Sequence, residues 1–99
     1  MRKYISYEEV LEALIDYLEE QKHHSKGSIV SITAKKVRCF RRFRLPKSQF
    51  AGKIFDYYLG LLQLHGIARC EQRARYKVWF IKRDDIDEAI AILKKHLLR

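Results

Sequence analysis

The sequence predicts an α+β fold, four helices and a three-stranded sheet in one domain over 1–99. Three observations lead there. Apolar residues recur at the three- and four-residue steps of an amphipathic helix in four separate stretches. Residues 67–82 alternate instead, as the strands of a hairpin do. One β-branched run, Ile29-Val30-Ser31-Ile32, is too short for a hairpin of its own and needs another strand to pair with. The expected order is a helix (about 6–21), a strand (about 29–32), a helix (about 33–43), a helix (about 47–65), a hairpin (about 67–82) and a last helix (about 84–98).

The first helix opens on Ser6 as N-cap, with Glu9 completing a capping box and Ile5 and Val10 spaced as a hydrophobic staple. Tyr7, Val10, Leu11, Leu14, Ile15 and Leu18 form its core stripe. Glu8 and Glu12 belong to the solvated face and not to an acid–base pair. Gln21–Ser28 reads as a polar loop. Its His23 and His24 diverge on any helix, and His65 and His96 do not converge with them, so no metal site is expected.

Thr33 caps the second helix. Ala34, Val37, Phe40 and Phe43 face inward, which leaves Lys35, Lys36, Arg38, Arg41 and Arg42 outside. Five cations in eight residues repel one another in an isolated helix, and an anion lying across them relieves that repulsion. Arg44, Leu45 and Pro46 form a turn, because the residue before proline is driven out of helical geometry. The third helix starts at Pro46 or at Ser48 as N-cap, and Gly66 supplies the left-handed residue that ends it. Ala51, Ile54, Phe55, Tyr58, Leu61 and Leu62 form its core face. A second rail of Gln49, Gly52, Lys53, Asp56, Gly60 and Gln63 is polar or small.

In the hairpin one register sets Ile67, Arg69 and Glu71 opposite Phe80, Val78 and Tyr76, with Gln72-Arg73-Ala74-Arg75 at the tip. The tip lacks the Gly or Asn of a tight primed turn, which favours a four-residue connection. Arg69, Arg73, Arg75 and Lys77 make the hairpin basic. Trp79 reads as core or interface before it reads as a base-stacking ring. The last helix carries Asp87 and Glu88 in its first turn and Lys94, Lys95 and His96 near its end, as the helix dipole prefers. Its seam of Ile86, Ala89, Ile90, Leu93 and Leu97 suits pairing with a second copy, and a homodimer through this helix, assisted by the first, is expected.

The formal charge is +9. Ten of the twelve acids lie in the first and last helices, while Lys22–Arg83 holds sixteen Lys and Arg against Asp56 and Glu71 alone. Segregation of this kind points to a functional basic face and to a polyanionic partner. No Gly-rich phosphate loop, metal spacing or nucleophile–base pair is present, so neither an enzyme nor a cofactor is expected. Nothing in the sequence resembles a signal peptide or a membrane span, which makes the cytosol the expected compartment. The absence of Asn and the wealth of Lys, Arg, Ile and Leu lean toward a thermophile, whose cytosol permits a Cys39–Cys70 disulfide; two separate thiols are the alternative.

Two helices joined by a short turn, the second with a polar outward rail, match a helix-turn-helix. With the short strand and basic hairpin added, the order resembles the winged helix-turn-helix family, particularly small archaeal and archaeal-virus transcription regulators. The resemblance covers nearly the whole chain. Its carriers are Leu45-Pro46-Lys47-Ser48 at the turn, Leu59, Leu62 and Gly66-Ile67 at the end of the long helix, and the hairpin that follows. Counted back from Gly66, the family's helix-opening residue falls at Lys53, whereas Pro46 and Ser48 lie earlier here.

The resemblance implies a double-stranded DNA-binding regulator with the long helix in the major groove and the wing in the adjacent minor groove. Lys47, Ser48, Gln49, Gly52 and Lys53 are then the base readers, since the first residues of a recognition helix approach the bases. Lys35, Lys36, Arg38, Arg41, Arg42 and Arg44 hold phosphates. Arg69, Arg73, Arg75 and Lys77 act from the wing. Association with the nucleoid follows from that reading. A sequence-tolerant architectural protein and a protein-interaction module are the competing expectations.

Overall fold

A computed structural model describes residues 6–24, 27–38 and 49–97, with Arg38, Gln49, Phe50 and Ala51 described by their helical backbone. Helix α1 spans Tyr7–His24, β1 Ile29–Ile32, α2 Ala34–Arg38, α3 Gln49–Leu64, β2 Ala68–Gln72, β3 Lys77–Lys82 and α4 Ile86–Leu97. One 3-10 turn, Arg83–Asp85, leads into α4. The α+β class and the element order agree with the sequence.

The helix ends follow the local chemistry. Ser6 N–H donates to Glu9 Oε1 at 3.1 Å while Glu9 N–H donates to Ser6 Oγ at 3.1 Å, a reciprocal capping box. Ile5 lies outside the described residues. α1 runs three residues beyond its expected end, into the segment read as a loop. Two contacts account for this: His24 Nε2 meets Glu20 Oε2 at 2.9 Å one turn back, and the Arg83 guanidinium donates to the Lys22 carbonyl at 2.7 Å. A cation on the last carbonyls satisfies groups that a helix C-terminus leaves open. Arg83 also donates through Nε to the Gly27 carbonyl at 3.0 Å, so one side chain closes the α1–β1 connection.

Gly66 ends α3 at φ +78°, where a side chain would be strained. Ile67 N–H donates to Leu62 O and Gly66 N–H to Gln63 O, both at 2.9 Å. That pair of bonds is a Schellman closure.

The sheet is antiparallel in the order β1-β3-β2, so β3 pairs on both sides. Arg69 lies opposite Phe80 and Glu71 opposite Val78, two residues from the expected register. The reason lies in α3. Ile67 spends its N–H on the helix end, and the strand therefore begins at Ala68, opposite Ile81. A two-residue slip keeps every side chain on its face. Val30, Ile32, Trp79 and Ile81 accordingly point into the core. The hairpin connection is the four residues Arg73–Tyr76, closed by Arg73 N–H donating to Tyr76 O at 2.8 Å.

The core lies where α1, α3, α4 and the inner sheet face meet. From α1 it takes Val10, Leu11, Ala13, Leu14, Ile15, Tyr17 and Leu18, but not Tyr7, which is exposed. From α3 it takes Ile54, Phe55, Tyr58, Leu59 and Leu62, with Leu61 half-buried. Each of the larger side chains contributes about 1.5–3 kcal/mol relative to exposure. Tyr17 is buried, and its hydroxyl donates to the Ser31 carbonyl at 3.2 Å, tying α1 to β1.

Two expectations change here. Ile86, Ile90 and Leu93 of α4 are not a free seam for a second copy: they are buried within one chain, 0%, 8% and 0% exposed, because α4 packs on α1. Leu97, half-buried, packs against the same core. The second concerns Cys39 and Cys70, for which the sequence leaves both a disulfide and two separate thiols open. Cys70 is a free thiol half-buried beside the core, and Cys39 lies outside the described residues. Among the described residues no helix is long and apolar enough to cross a membrane.

Candidate nucleic-acid interface

A groove of about 740 Å³ opens between the start of α2, α3 and the hairpin. Phe55 and Leu59 from α3 and Trp79 from β3 form its floor. These are core residues, so the floor is apolar and largely closed to water. Trp79 is 5% exposed and belongs to the core.

Cations reach the rim from two elements. Thr33 Oγ1 accepts the Lys36 N–H at 3.2 Å and starts α2. With Val37 turned inward and fully buried, Lys35 and Lys36 are left exposed beside the groove. Lys36 Nζ also donates to Ser31 Oγ at 2.9 Å, which holds its stem against β1. Ala34, expected inside, is exposed and lines the groove, because of residues 34–37 only Val37 turns to the core.

The hairpin supplies Arg75 from its connection and Lys77 from the first position of β3. The Gln72 side-chain amide donates to the carbonyls of Arg73 and Tyr76, at 2.9 and 3.3 Å, and so braces the tip without a glycine. Helix α3 contributes Gly52, where a Cβ would meet nothing within 4 Å, and Asp56, whose Oδ2 lies 3.5 Å from Lys77 Nζ.

The expected site residues divide as follows. Lys35, Lys36, Gly52, Arg75 and Lys77 meet around one groove. Lys53, next to Gly52, is exposed on α3. Arg69 and Arg73 do not join them. Both reach Glu71, at 3.7 and 3.1 Å, and the Arg69 guanidinium also lies 5.6 Å from the centre of the Phe80 ring. These are exposed pairs, each worth about 0.2–1 kcal/mol, so a stronger anion displaces them easily. Gln49 and Arg38 are placed by helical backbone, and Arg41, Arg42, Arg44, Lys47 and Ser48 lie outside the described residues.

The groove also gathers residues that the sequence did not assign to binding: Thr33, Gln72 and the half-exposed ring of Tyr76. Tyr76, expected within a strand, is instead the last residue of the hairpin connection and lines the groove from there. Asp56 stands on the polar rail of the sequence, but nothing in the pattern pairs it with Lys77.

No protein-family model, curated protein or solved structure matches the chain.

Proposed function

We propose that this protein is a double-stranded DNA-binding regulator of transcription, with the architecture of a winged helix-turn-helix. In this reading α3 enters the major groove and the β2–β3 hairpin is the wing, reaching the adjacent minor groove. Lys35 and Lys36 bind phosphates, which position the protein without reading sequence. Arg75 and Lys77 do the same from the wing. Gly52 allows close approach of the α3 backbone, and Lys53 can donate to guanine O6 or N7. One observation carries the reading: among the described residues four cations from two distant parts of the chain border α3 on the same groove, while ten of twelve acids lie in the first helix, the last helix and the 3-10 turn that leads into it.

A sequence-tolerant architectural role is the second reading, and the described part of α3 is what favours it. Of its exposed rail, Gly52 and Gly60 carry no reading group and Asp56 is already paired with Lys77. That leaves few side chains for base edges.

The test is fluorescence anisotropy of the protein against a random-sequence duplex library at two salt concentrations, with the tightest fraction recovered and sequenced. Enrichment of one site that survives the higher salt supports a regulator, and a palindromic site adds a second copy. A second copy would join through surfaces other than Ile86, Ile90 and Leu93, which one chain already buries. Strong binding without enrichment, lost with salt, supports the architectural role. No binding at either salt refutes both.

A further inference from the structure

We infer that the groove between α2, α3 and the hairpin is a binding site for a nucleoside polyphosphate, and that bound nucleotide and duplex DNA exclude one another. The exclusion rests on the function proposed above; the nucleotide site does not.

The volume of about 740 Å³ lies within the roughly 300–1,000 Å³ of small-molecule sites. Its lining has two chemistries at once. Lys35, Lys36, Arg75 and Lys77 stand on the rim against one carboxylate, Asp56. Phe55, Leu59 and Trp79 lie beneath, nearly closed to water, and the half-exposed Tyr76 ring is the flat surface that a ligand can reach. A groove serving only the DNA backbone needs cations and donors but no apolar hollow, since phosphodiesters and sugars have nothing flat and apolar to place in one. An uncharged apolar ligand would bring the four cations no counter-charge.

A ligand with a flat, weakly polar body at one end and several negative charges at the other satisfies both parts. Among the described residues the rim carries a formal excess of three positive charges, which suits a di- or triphosphate better than a single phosphate. Arginine and lysine are the usual partners of such groups, arginine through paired N–H bonds. The Tyr76 ring lines the groove and is 56% exposed, so a base can stack on it. Asp56 lies 3.5 Å from Lys77, and a triphosphate draws that ammonium away from a weaker partner. DNA phosphates and nucleotide phosphates then compete for the same four side chains.

Trp79 is the single tryptophan and lies in the groove floor, which makes its fluorescence a local reporter. The full chain is titrated with ATP at constant ionic strength, with adenosine and inorganic triphosphate as controls. The same titration is repeated with a labelled duplex present. ATP should bind more tightly than either control by about tenfold or more, and should release the duplex. Gly52→Leu, which fills open space in the groove, should abolish the response with an unchanged circular dichroism spectrum. Arg75→Ala should weaken it, and Arg75→Lys should restore part of it.

Triphosphate binding as well as ATP would mean a charge effect alone and overturn the site. An unaltered ATP affinity in folded Gly52→Leu would place the nucleotide elsewhere and overturn it equally. Duplex binding without any nucleotide response overturns the nucleotide site and leaves the DNA reading standing. A nucleotide response without duplex binding does the reverse.

Discussion

Lys77 Nζ stands 3.5 Å from Asp56 Oδ2, so the first residue of β3 is tied to the exposed side of α3. Both side chains are nearly half exposed, and a pair of this kind contributes about 0.2–1 kcal/mol. Its stability effect is therefore small, but its placement matters. It sets a negative charge among the cations of the groove and engages one of them.

Removing that carboxylate should strengthen duplex binding. Asp56→Ala is expected to raise affinity severalfold at low salt and leave the unfolding midpoint nearly unchanged. Lys77→Glu should reduce affinity steeply. Anisotropy with one labelled duplex, beside urea unfolding of each variant, separates the two effects. A loss of affinity in Asp56→Ala would mean that the carboxylate reads a base.

The hairpin arginines should not behave alike. Arg75 has no ion-pair partner among the described residues, whereas Arg73 is engaged by Glu71 at 3.1 Å. Arg75→Ala should weaken binding evenly across sequences and lower the salt slope by about 1. Arg73→Ala should do less, because Arg73 gives up its pair with Glu71 when it binds a phosphate and so contributes less to begin with. Glu71→Gln frees Arg69 and Arg73 together and should tighten binding. Salt titrations of the three variants give the order directly.

At Gly66 the backbone adopts φ +78°. A Cβ there meets no neighbour, so steric crowding is absent and the conformation alone is strained. Gly66→Ala should destabilise the fold by about 1–2 kcal/mol. Leu62→Ala, at a fully buried position of the same helix end, should cost about 2–5 kcal/mol. Urea unfolding ranks them, and an equal effect would mean that the α3–β2 connection relaxes around the alanine.

Tyr17 carries a pH dependence of known sign. Burial pushes its hydroxyl above the ordinary value of 10.0. The folded state therefore holds the proton more tightly than the unfolded chain does. Its contribution is fully present below pH 10.0 and is lost as pH rises from there through the higher folded value. Tyr17→Phe should flatten this part of the alkaline unfolding profile. It should also lower stability near neutrality by about 0.5–1.5 kcal/mol through the lost bond to Ser31.

What the sequence made legible was mostly local. Ser6 with Glu9, Thr33 before α2, and Gly66 after α3 are short-range devices, and each closes its helix end through the bonds expected of it. The pairing of β1 with the hairpin followed from its being too short to stand alone. The register did not follow, because alternation is unchanged by a two-residue slip and only the engagement of Ile67 with Leu62 decides it. The apolar stripe of α4 was legible as a stripe but not as to what covers it. Ile86, Ile90 and Leu93 show one periodicity whether α1 or a second copy packs on them. The groove was least legible, since its rim joins Lys35, Asp56 and Arg75 from three elements, and no spacing in the chain encodes their meeting.

The central place of β3 has a consequence for synthesis. β1 is complete at Ile32, but the strand it pairs with ends at Lys82. A ribosome adding roughly 5–20 residues per second needs seconds to cover that interval. Throughout it the edges of β1 have no partner from their own chain, and α1 lacks the α4 surface that covers its stripe. The sheet therefore forms only after Lys82 has been made. A truncated product ending before Lys77 should expose β1 and be a substrate for chaperones or self-association.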